Sequence, residues 1–378
     1  MNLLHIHQDY PDGRPYSATK AVSNLIDSAK IIDPSVKHFV LSINRTSNPF
    51  KISIKNFEDG ISLVYWSLPL PFISRLSIVF WCNIIYRYLR KSNFDKIHAH
   101  KLTTEGMFAF YLSKKMELNY SVSIRGGSDL HNINRLKDCN KLFKKIFLDA
   151  ENIFWVSVWA KKSIEDAFNI KVNSATEFPN ICHIEKMSPA RDVKKKRYCT
   201  ILNFDQYHRK GVVPLIHAIS NLNRNGYEIK LDIIGGGNQK NKQTVNRLIT
   251  ELKLESSIQT IGVLDSEGIS KVLQNSRGLL LPSVNETFGM VYVEAAACGC
   301  PFLYVNETGI DGYFDNLNNS IKISDQNIKS IEKGIVDLEN ERNMYLSSAL
   351  NMASSGELKR FQKAHIAKTY LHKLKNIN

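Results

Sequence analysis

The strongest restriction on what this chain can fold into is a short apolar run followed by an amphipathic stretch, repeated along the sequence in two sets. Runs at residues 3–7, 38–43, 61–66, 95–100, 121–124 and 153–157 form the first set. A second set begins at 198–203 and continues at 231–234, 258–262, 279–282 and 302–305. Runs this short, rich in Ile, Leu and Val and separated by helix-length segments, read as strands of parallel sheets with helices on both faces. Two sets imply two sheets. The expected class is therefore α/β, with two doubly wound Rossmann-like domains that bind ligands beyond the carboxyl ends of their strands. The 378 residues, 43% of them apolar, suffice for two cores.

One run leads into a denser pattern. Residues 279–301 read as a buried strand ending at Pro282, a polar turn, and a helix from about Phe288 that Gly299 caps and Pro301 stops. Two acids frame it: Glu286 in the loop and Glu294 about two turns into the helix, roughly 12 Å further along at ~1.5 Å per residue. The amides of Phe288, Gly289 and Met290 lie between them at a helix N-terminus, where unpaired N–H groups and partial positive charge attract phosphate. Gly289 lets a ligand come close to the backbone. Glu294 stands alone in a window with no other charge, and a lone acid among apolar residues needs a partner. A sugar on one carboxylate, a diphosphate on the amides and a ribose on the second carboxylate would fit this order, so the segment is expected to hold a nucleotide-sugar.

With its loop, its Phe-Gly pair, two acids separated by seven residues and a Gly-x-Pro exit, this segment resembles the E-x7-E signature of retaining GT-B glycosyltransferases of the family-4 type. The resemblance extends along the chain. Arg125-Gly126-Gly127-Ser128-Asp129 is similar to the family's His-Gly-Ser-Asp or Arg-Gly-Ser-Asp loop, and 95–100 to its Asp-x-x-His-x-His strand end. His208-Arg209-Lys210-Gly211 is similar to its Lys-Gly turn, and Gly235-Gly236-Gly237 to its Gly-x-Gly element. The resemblance implies Rossmann-like domains at 1–186 and 198–355 facing a central crevice, a linker at 187–197, and a helix in 356–378 crossing back to the first domain. It also implies roles. Glu286, Lys210 and Arg125 form the expected catalytic set, with Glu286 orienting the sugar. Gly13, Arg209, Gly236, Phe288, Gly289, Met290 and Glu294 are expected to bind the donor, and Arg14, His100 and Asp129 to face the acceptor. The sequence departs from the family in places: Arg125 stands where relatives carry His, Phe204 where they carry a donor-phosphate arginine, and only Gly13 remains in a turn that is usually glycine-rich. Either Arg209 or Arg125 would have to supply the missing cation. The implied reaction retains configuration without a covalent intermediate, a cofactor or a metal.

Fifty Lys and Arg against 36 Asp and Glu leave a formal charge of +14, which suits an anionic partner: a nucleotide diphosphate, a membrane surface or nucleic acid. The basic run at 194–197 is short and lacks interleaved aromatics, so nucleic acid is not expected. Between Gly60 and Phe94 there is no acid, whereas Arg75, Arg87, Arg90 and Lys91 are spread among aromatic residues. Residues 73–90 read as an amphipathic helix, either an ordinary packing helix with a basic end or a contact with an anionic membrane. No apolar window is long enough to span a bilayer and the first residues contain no signal-type core, so the expected place is the cytoplasm, with a peripheral position on the inner membrane face. The six cysteines contain no C-x-x-C pair; Cys298 and Cys300 read as buried small residues rather than metal ligands. The expected function is transfer of a sugar from a UDP- or GDP-sugar to a glycan or lipid-linked acceptor in bacterial surface polysaccharide or lipopolysaccharide biosynthesis. The rivals are a hydrolase or epimerase of nucleotide-sugars, and a non-catalytic glycan- or nucleic-acid-binding protein on the same fold.

Overall fold

A computed structural model describes residues 1–14, 19–68, 70–172, 176–189, 197–315 and 318–375. The chain divides into two compact units, Met1–Ile181 with Lys363–Asn378, and Cys182–Gln362. The first contains strands β1 (Asn2–His7), β2 (Lys37–Thr46), β3 (Ser53–Phe57), β4 (Gly60–Trp66), β5 (Lys96–Ala99), β6 (Asn119–Ile124), β7 (Asn152–Trp155) and β8 (Thr176–Glu177). They form one sheet in the order β3-β4-β2-β1-β5-β6-β7-β8, parallel except for the β3–β4 hairpin. The second contains β9 (Arg197–Ile201), β10 (Leu231–Ile234), β11 (Ile258–Ile261), β12 (Ser276–Leu280), β13 (Phe302–Val305) and β14 (Ser320–Ile323), wholly parallel in the order β11-β10-β9-β12-β13-β14.

Each sheet reverses direction once. In the first, the chain steps from β1 outward through β2 and then returns to lay β5 on the other flank of β1. In the second, β9 has β10 on one side and β12 on the other. At such a reversal the loops at the carboxyl ends part in opposite directions, and the gap they leave is where open α/β sheets bind ligands.

Alternation along the strands decides what each face meets. In the first unit Leu4, Ile6, Ile97 and Ala99 belong to an apolar core that includes Ile78, Cys82, Ile85, Met107 and Phe108 from the helices Pro71–Leu89 and Thr104–Met116. The alternate residues of the same two segments are His5, His7, His98 and His100, all buried. The helix Lys363–Leu374 packs against the helix Ala21–Ile32 and sets Tyr370 on His98. The apolar core of the second unit is built on Tyr198, Leu215, Ile219, Leu231, Ile233, Leu280 and Leu303, with Leu231 of β10 paired to Tyr198 of β9.

Several elements differ from the sequence reading. Strands β3 and β14 have no counterpart in it, because they are short and partly exposed and so lack a strong apolar pattern. The helix expected in 356–378 is broken: a 3-10 turn, Glu357–Phe361, is followed by Gln362 in extended conformation, and only then by the helix Lys363–Leu374. The unit boundary also falls at 181/182 rather than 186, and residues 356–362 belong with the second unit. The Cys182 N–H donates to the Phe361 carbonyl at 3.0 Å, which ties these two passages together. Of the expected linker, residues 190–196 lie outside the described residues, as do 15–18 of the first turn.

The helix Pro71–Leu89 buries Ile78, Trp81, Cys82, Ile85 and Leu89 and leaves Phe72, Leu76 and Phe80 exposed by 70%, 53% and 58%. No helix among the described residues is long and apolar enough to cross a membrane.

Candidate functional site

In the second unit the reversal lies between β9 and β12. The turn after β9 carries Arg209 and Lys210, and the loop after β12 carries Glu286. Backbone and side-chain contacts hold the two loops together. The Val284 N–H donates to the Arg209 carbonyl at 3.0 Å, and Gln326 Nε2 donates to the carbonyls of Arg209 at 3.0 Å and Pro282 at 2.6 Å. Gly211 permits this approach: its φ is 71°, and a Cβ there would stand 2.4 Å from the Pro282 carbonyl oxygen.

Glu286 is the centre of the group. Its Oε2 accepts from Lys210 Nζ at 2.5 Å, from Arg209 at 3.1 Å and from Ser283 Oγ at 3.1 Å. Its backbone is fixed too, the N–H donating to Thr308 Oγ1 at 2.8 Å and the carbonyl accepting from the Gly309 N–H at 2.9 Å. Burial pushes its carboxyl up, but Lys210 and Arg209 outweigh that and hold it below the usual carboxylate range. Glu286 is therefore an ionised acid facing two cations. Sequence reasoning missed Ser283, Thr308 and Gln326, whose small polar side chains have no spacing rule to announce them.

The helix after this loop is Met290–Ala297, so it starts two residues later than the sequence suggests. Phe288 is buried against Tyr313 and Phe361 and can offer a ligand its backbone only. Gly289 caps the helix at φ 75°, where a Cβ would come within 2.6 Å of the Tyr292 ring. Met290 is 42% exposed. Glu294 is half-buried, with no hydrogen-bond or ion-pair partner among the described residues, and burial pushes its carboxyl up. On the neighbouring strand end, the Gly236 carbonyl accepts from the Phe204 N–H at 2.7 Å.

The first unit places its expected residues differently. Arg125 is buried, its Nε donating to the His100 carbonyl at 3.0 Å and its guanidinium to Asn180 Oδ1 at 3.2 Å. These contacts brace two loops. Asp129 is likewise buried, and its oxygens accept from the amides of Leu102 at 2.9 Å, Thr103 at 3.3 Å and Arg125 at 2.8 Å. With both oxygens on backbone it serves the loops rather than an acceptor; burial pushes its carboxyl up to about 6. Arg14 pairs with Asp12 and donates to Ser42 Oγ at 2.8 Å, while Gly13 beside it adopts φ 80° with open space where a Cβ would stand.

His100 belongs to an array that spacing along the chain does not reveal. Its Nε2 meets His5 Nδ1 at 3.0 Å, and His5 Nε2 meets His38 Nδ1 at 2.9 Å. His98 engages Tyr370 at 2.6 Å and Ser123 at 2.9 Å. Ring nitrogens of His5, His98 and His100 lie within 4.8 Å of one another, a metal-like grouping, yet both nitrogens of His5 and of His98 already have protein partners. At the end of β1, His7 Nδ1 meets Glu105 Oε1 at 3.2 Å.

Comparison with known proteins bears on both units. Residues 185–355 match the family described as glycosyl transferases group 1. The phosphatidylinositol N-acetylglucosaminyltransferase gpi3 subunit of Schizosaccharomyces pombe is 22% identical over 75% of this chain, which spans 61% of that relative's length. The alpha-monoglucosyldiacylglycerol synthase of Acholeplasma laidlawii is 21% identical over 73% of this chain and 75% of its own. Among solved structures, Anabaena HepE in complex with UDP-glucose superposes with a TM-score of 0.67 at 15% identity, each chain covered in full.

Proposed function

We propose that this chain, which matches the glycosyl transferases group 1 family over residues 185–355 and shares the GT-B fold of HepE, is a glycosyltransferase that moves a sugar from a UDP-sugar, with retention, to a hydroxyl of a lipid-borne acceptor. The observation that carries this reading is the loop pair at the reversal of the second sheet, where ionised Glu286 holds Lys210 and Arg209 beside the start of the helix Met290–Ala297. In this reading a donor's diphosphate takes over the two cations and the amides of Gly289 and Met290. That frees Glu286 to accept hydroxyls of the sugar, and the unpartnered Glu294 to accept those of the ribose. The same cations and amides then stabilise the charge that develops on the departing diphosphate, which would help take the proton of the incoming hydroxyl. Arg209 supplies the cation that Phe204 does not.

The lipid-borne acceptor is supported by the helix Pro71–Leu89. Phe72, Leu76 and Phe80 recur every four residues on its exposed side, and exposed Arg87, Arg90 and Lys91 follow at its end. Apolar side chains beside cations suit insertion at an anionic lipid surface. The relatives named for phosphatidylinositol and diacylglycerol chemistry favour the same class of acceptor.

A thermal-shift series with UDP-, GDP- and ADP-sugars tests the donor. A UDP-sugar at a hundred times its Kd should add about 2.7 kcal/mol to stability. Stabilisation by GDP-sugars alone would replace the donor assignment, and indifference to all three would remove the reading. The anomeric configuration of the product, read by NMR, tests retention.

A further inference from the structure

The first unit has its own reversal, between β1 and β5, and the residues gathered there are not those of the donor site. His7 closes β1, His100 follows β5, and Glu105 stands in the first turn of the helix Thr104–Met116. All three are buried, with exposures of 1%, 0% and 0%, and the rings of His7 and His100 are 5.6 Å apart. Each keeps one side-chain atom without a partner: His7 Nε2, His100 Nδ1 and Glu105 Oε2. Buried polar atoms are rarely left unsatisfied, and three in one place need an explanation.

The chemistry of the gap follows from the contacts that are made. Glu105 Oε1 accepts from the Gln8 N–H at 2.9 Å and faces Lys101 Nζ at 3.7 Å, so the carboxylate is ionised, below its usual range against the pull of burial. An ionised oxygen 3.2 Å from His7 Nδ1 calls for a proton on that nitrogen. Burial holds His7 below its ordinary pKa, so the ring is neutral and its Nε2 is a bare lone pair. Nε2 and Oε2 are thus both acceptors, and the missing partner must bring donors.

We propose that His7 and Glu105 form the seat for hydroxyl groups of the sugar or cyclitol portion of the acceptor, with His7 Nε2 accepting directly from one hydroxyl and Glu105 fixing the His7 tautomer. The proposal deepens the glycosyltransferase reading and rests on it for the word acceptor. Its location supports it, since the carboxyl edge at a strand-order reversal is where such sheets take ligands. His7 would touch substrate; Glu105 would act on it mainly through His7 and is a positioning residue.

The test uses the full chain with 15N-labelled histidine, the His7 signals being assigned through the neighbouring Gln8 amide and by their loss in His7→Gln. Long-range 1H–15N spectra should show His7 protonated on Nδ1 only, and myo-inositol or glucose added to saturation should move Nε2 towards the hydrogen-bonded range. In Glu105→Gln the single tautomer should be lost. With UDP-N-acetylglucosamine and phosphatidylinositol vesicles, His7→Gln should lower kcat/KM for the acceptor about tenfold while the KM for the donor stays within about twofold. A His7 that carries its proton on Nε2, or an Nε2 signal unmoved by either polyol, overturns the proposal, as does an unchanged acceptor kcat/KM. If no sugar is transferred even by the wild type, the glycosyltransferase reading fails, and the nitrogen spectra still decide the pair.

Discussion

The two units share a reversal of strand order beside their first strand and differ in what they gather there. Each sheet reverses once beside its first strand, and each reversal gathers an acid: Glu286 in the second unit, Glu105 in the first. Glu286 is surrounded by side-chain donors, two of them cationic, that a diphosphate could draw away. Glu105 is paired with a histidine at the edge of a buried imidazole array, and the atoms left over on that pair are acceptors. In the proposed readings, one site suits negative charge and the other hydroxyl groups. A fold repeated within one chain can therefore specialise its halves by the polarity of what stands at the switch point, while both keep the reversal itself.

The contrast breaks most visibly in acid. His5, His7, His98 and His100 are all pushed below the ordinary imidazole range by burial, His98 to about 3, and half-buried His38 to about 4. The second unit has no buried histidine among the described residues. Unfolded histidines take up protons below about pH 6.5 while these stay neutral, so the unfolded state binds more protons and stability falls as pH falls. Each such histidine contributes about 1.4 kcal/mol per pH unit once the unfolded form is fully protonated, so the set amounts to several kcal/mol between about pH 6.5 and 4. Hydrogen exchange followed by mass spectrometry at about pH 7.5 and 5, on either side of the ordinary imidazole value, should show the first unit losing protection while the second largely keeps it. Equal loss in both units would mean that the array does not set the acid limit.

Next in size is the proposed lipid face on the helix Pro71–Leu89 of the first unit. Reversing Arg87, Arg90 and Lys91 to Glu removes three cations that contribute about 1 kcal/mol each near an anionic surface. Binding to phosphatidylinositol-containing vesicles should fall by roughly two orders of magnitude at low salt, with little change in Tm, because the three side chains are exposed. A wild-type protein that ignores such vesicles would return the helix Pro71–Leu89 to ordinary packing.

Glu286→Gln tests the second unit directly. Removing a charge-assisted interaction of about 1.5–3 kcal/mol should cost roughly ten- to hundredfold in transfer rate while the loop, held by Thr308 and Gly309, keeps its place. Wild-type turnover in that variant would remove Glu286 from the reaction.

How much of this is legible in the sequence depends on how far apart along the chain the participants lie. Glu286, Gly289, Met290 and Glu294 fall within one short window in which strand, turn and helix signals meet, so their spacing is enough to suggest a donor site. Phe288 reads as the first helical residue because a Phe-Gly pair does not say which of the two turns inward; packing on Tyr313 and Phe361 decides that. His7 and Glu105 are 98 residues apart and meet only when β1 and β5 become neighbours. A hint is nonetheless present: His5-Ile6-His7 and His98-Ala99-His100 alternate in the strand period, so each strand has to turn imidazoles to one face. Arg125 and Asp129 are assigned to ligands by the likeness of their loop to a family motif, whereas here burial and backbone partners make them braces.

The smallest effect separates contact with phosphate from support of the loop. Lys210 Nζ lies 2.5 Å from Glu286, so Lys210→Ala removes both a counter-charge and a phosphate donor. Glu286 still has Arg209 and Ser283, and the loops remain joined through Gln326, so the fold of the site should persist. A phosphate role then predicts that UDP binds about tenfold more weakly, a loss of about 1.4 kcal/mol, while uridine, which has no phosphate to lose, binds within about twofold of wild type. Titration calorimetry with both ligands gives the two numbers from one variant. If uridine weakens as much as UDP, the lysine is holding the loop, and the comparison between a site prepared for anions and a site prepared for hydroxyls would rest on Arg209 and the helix amides instead.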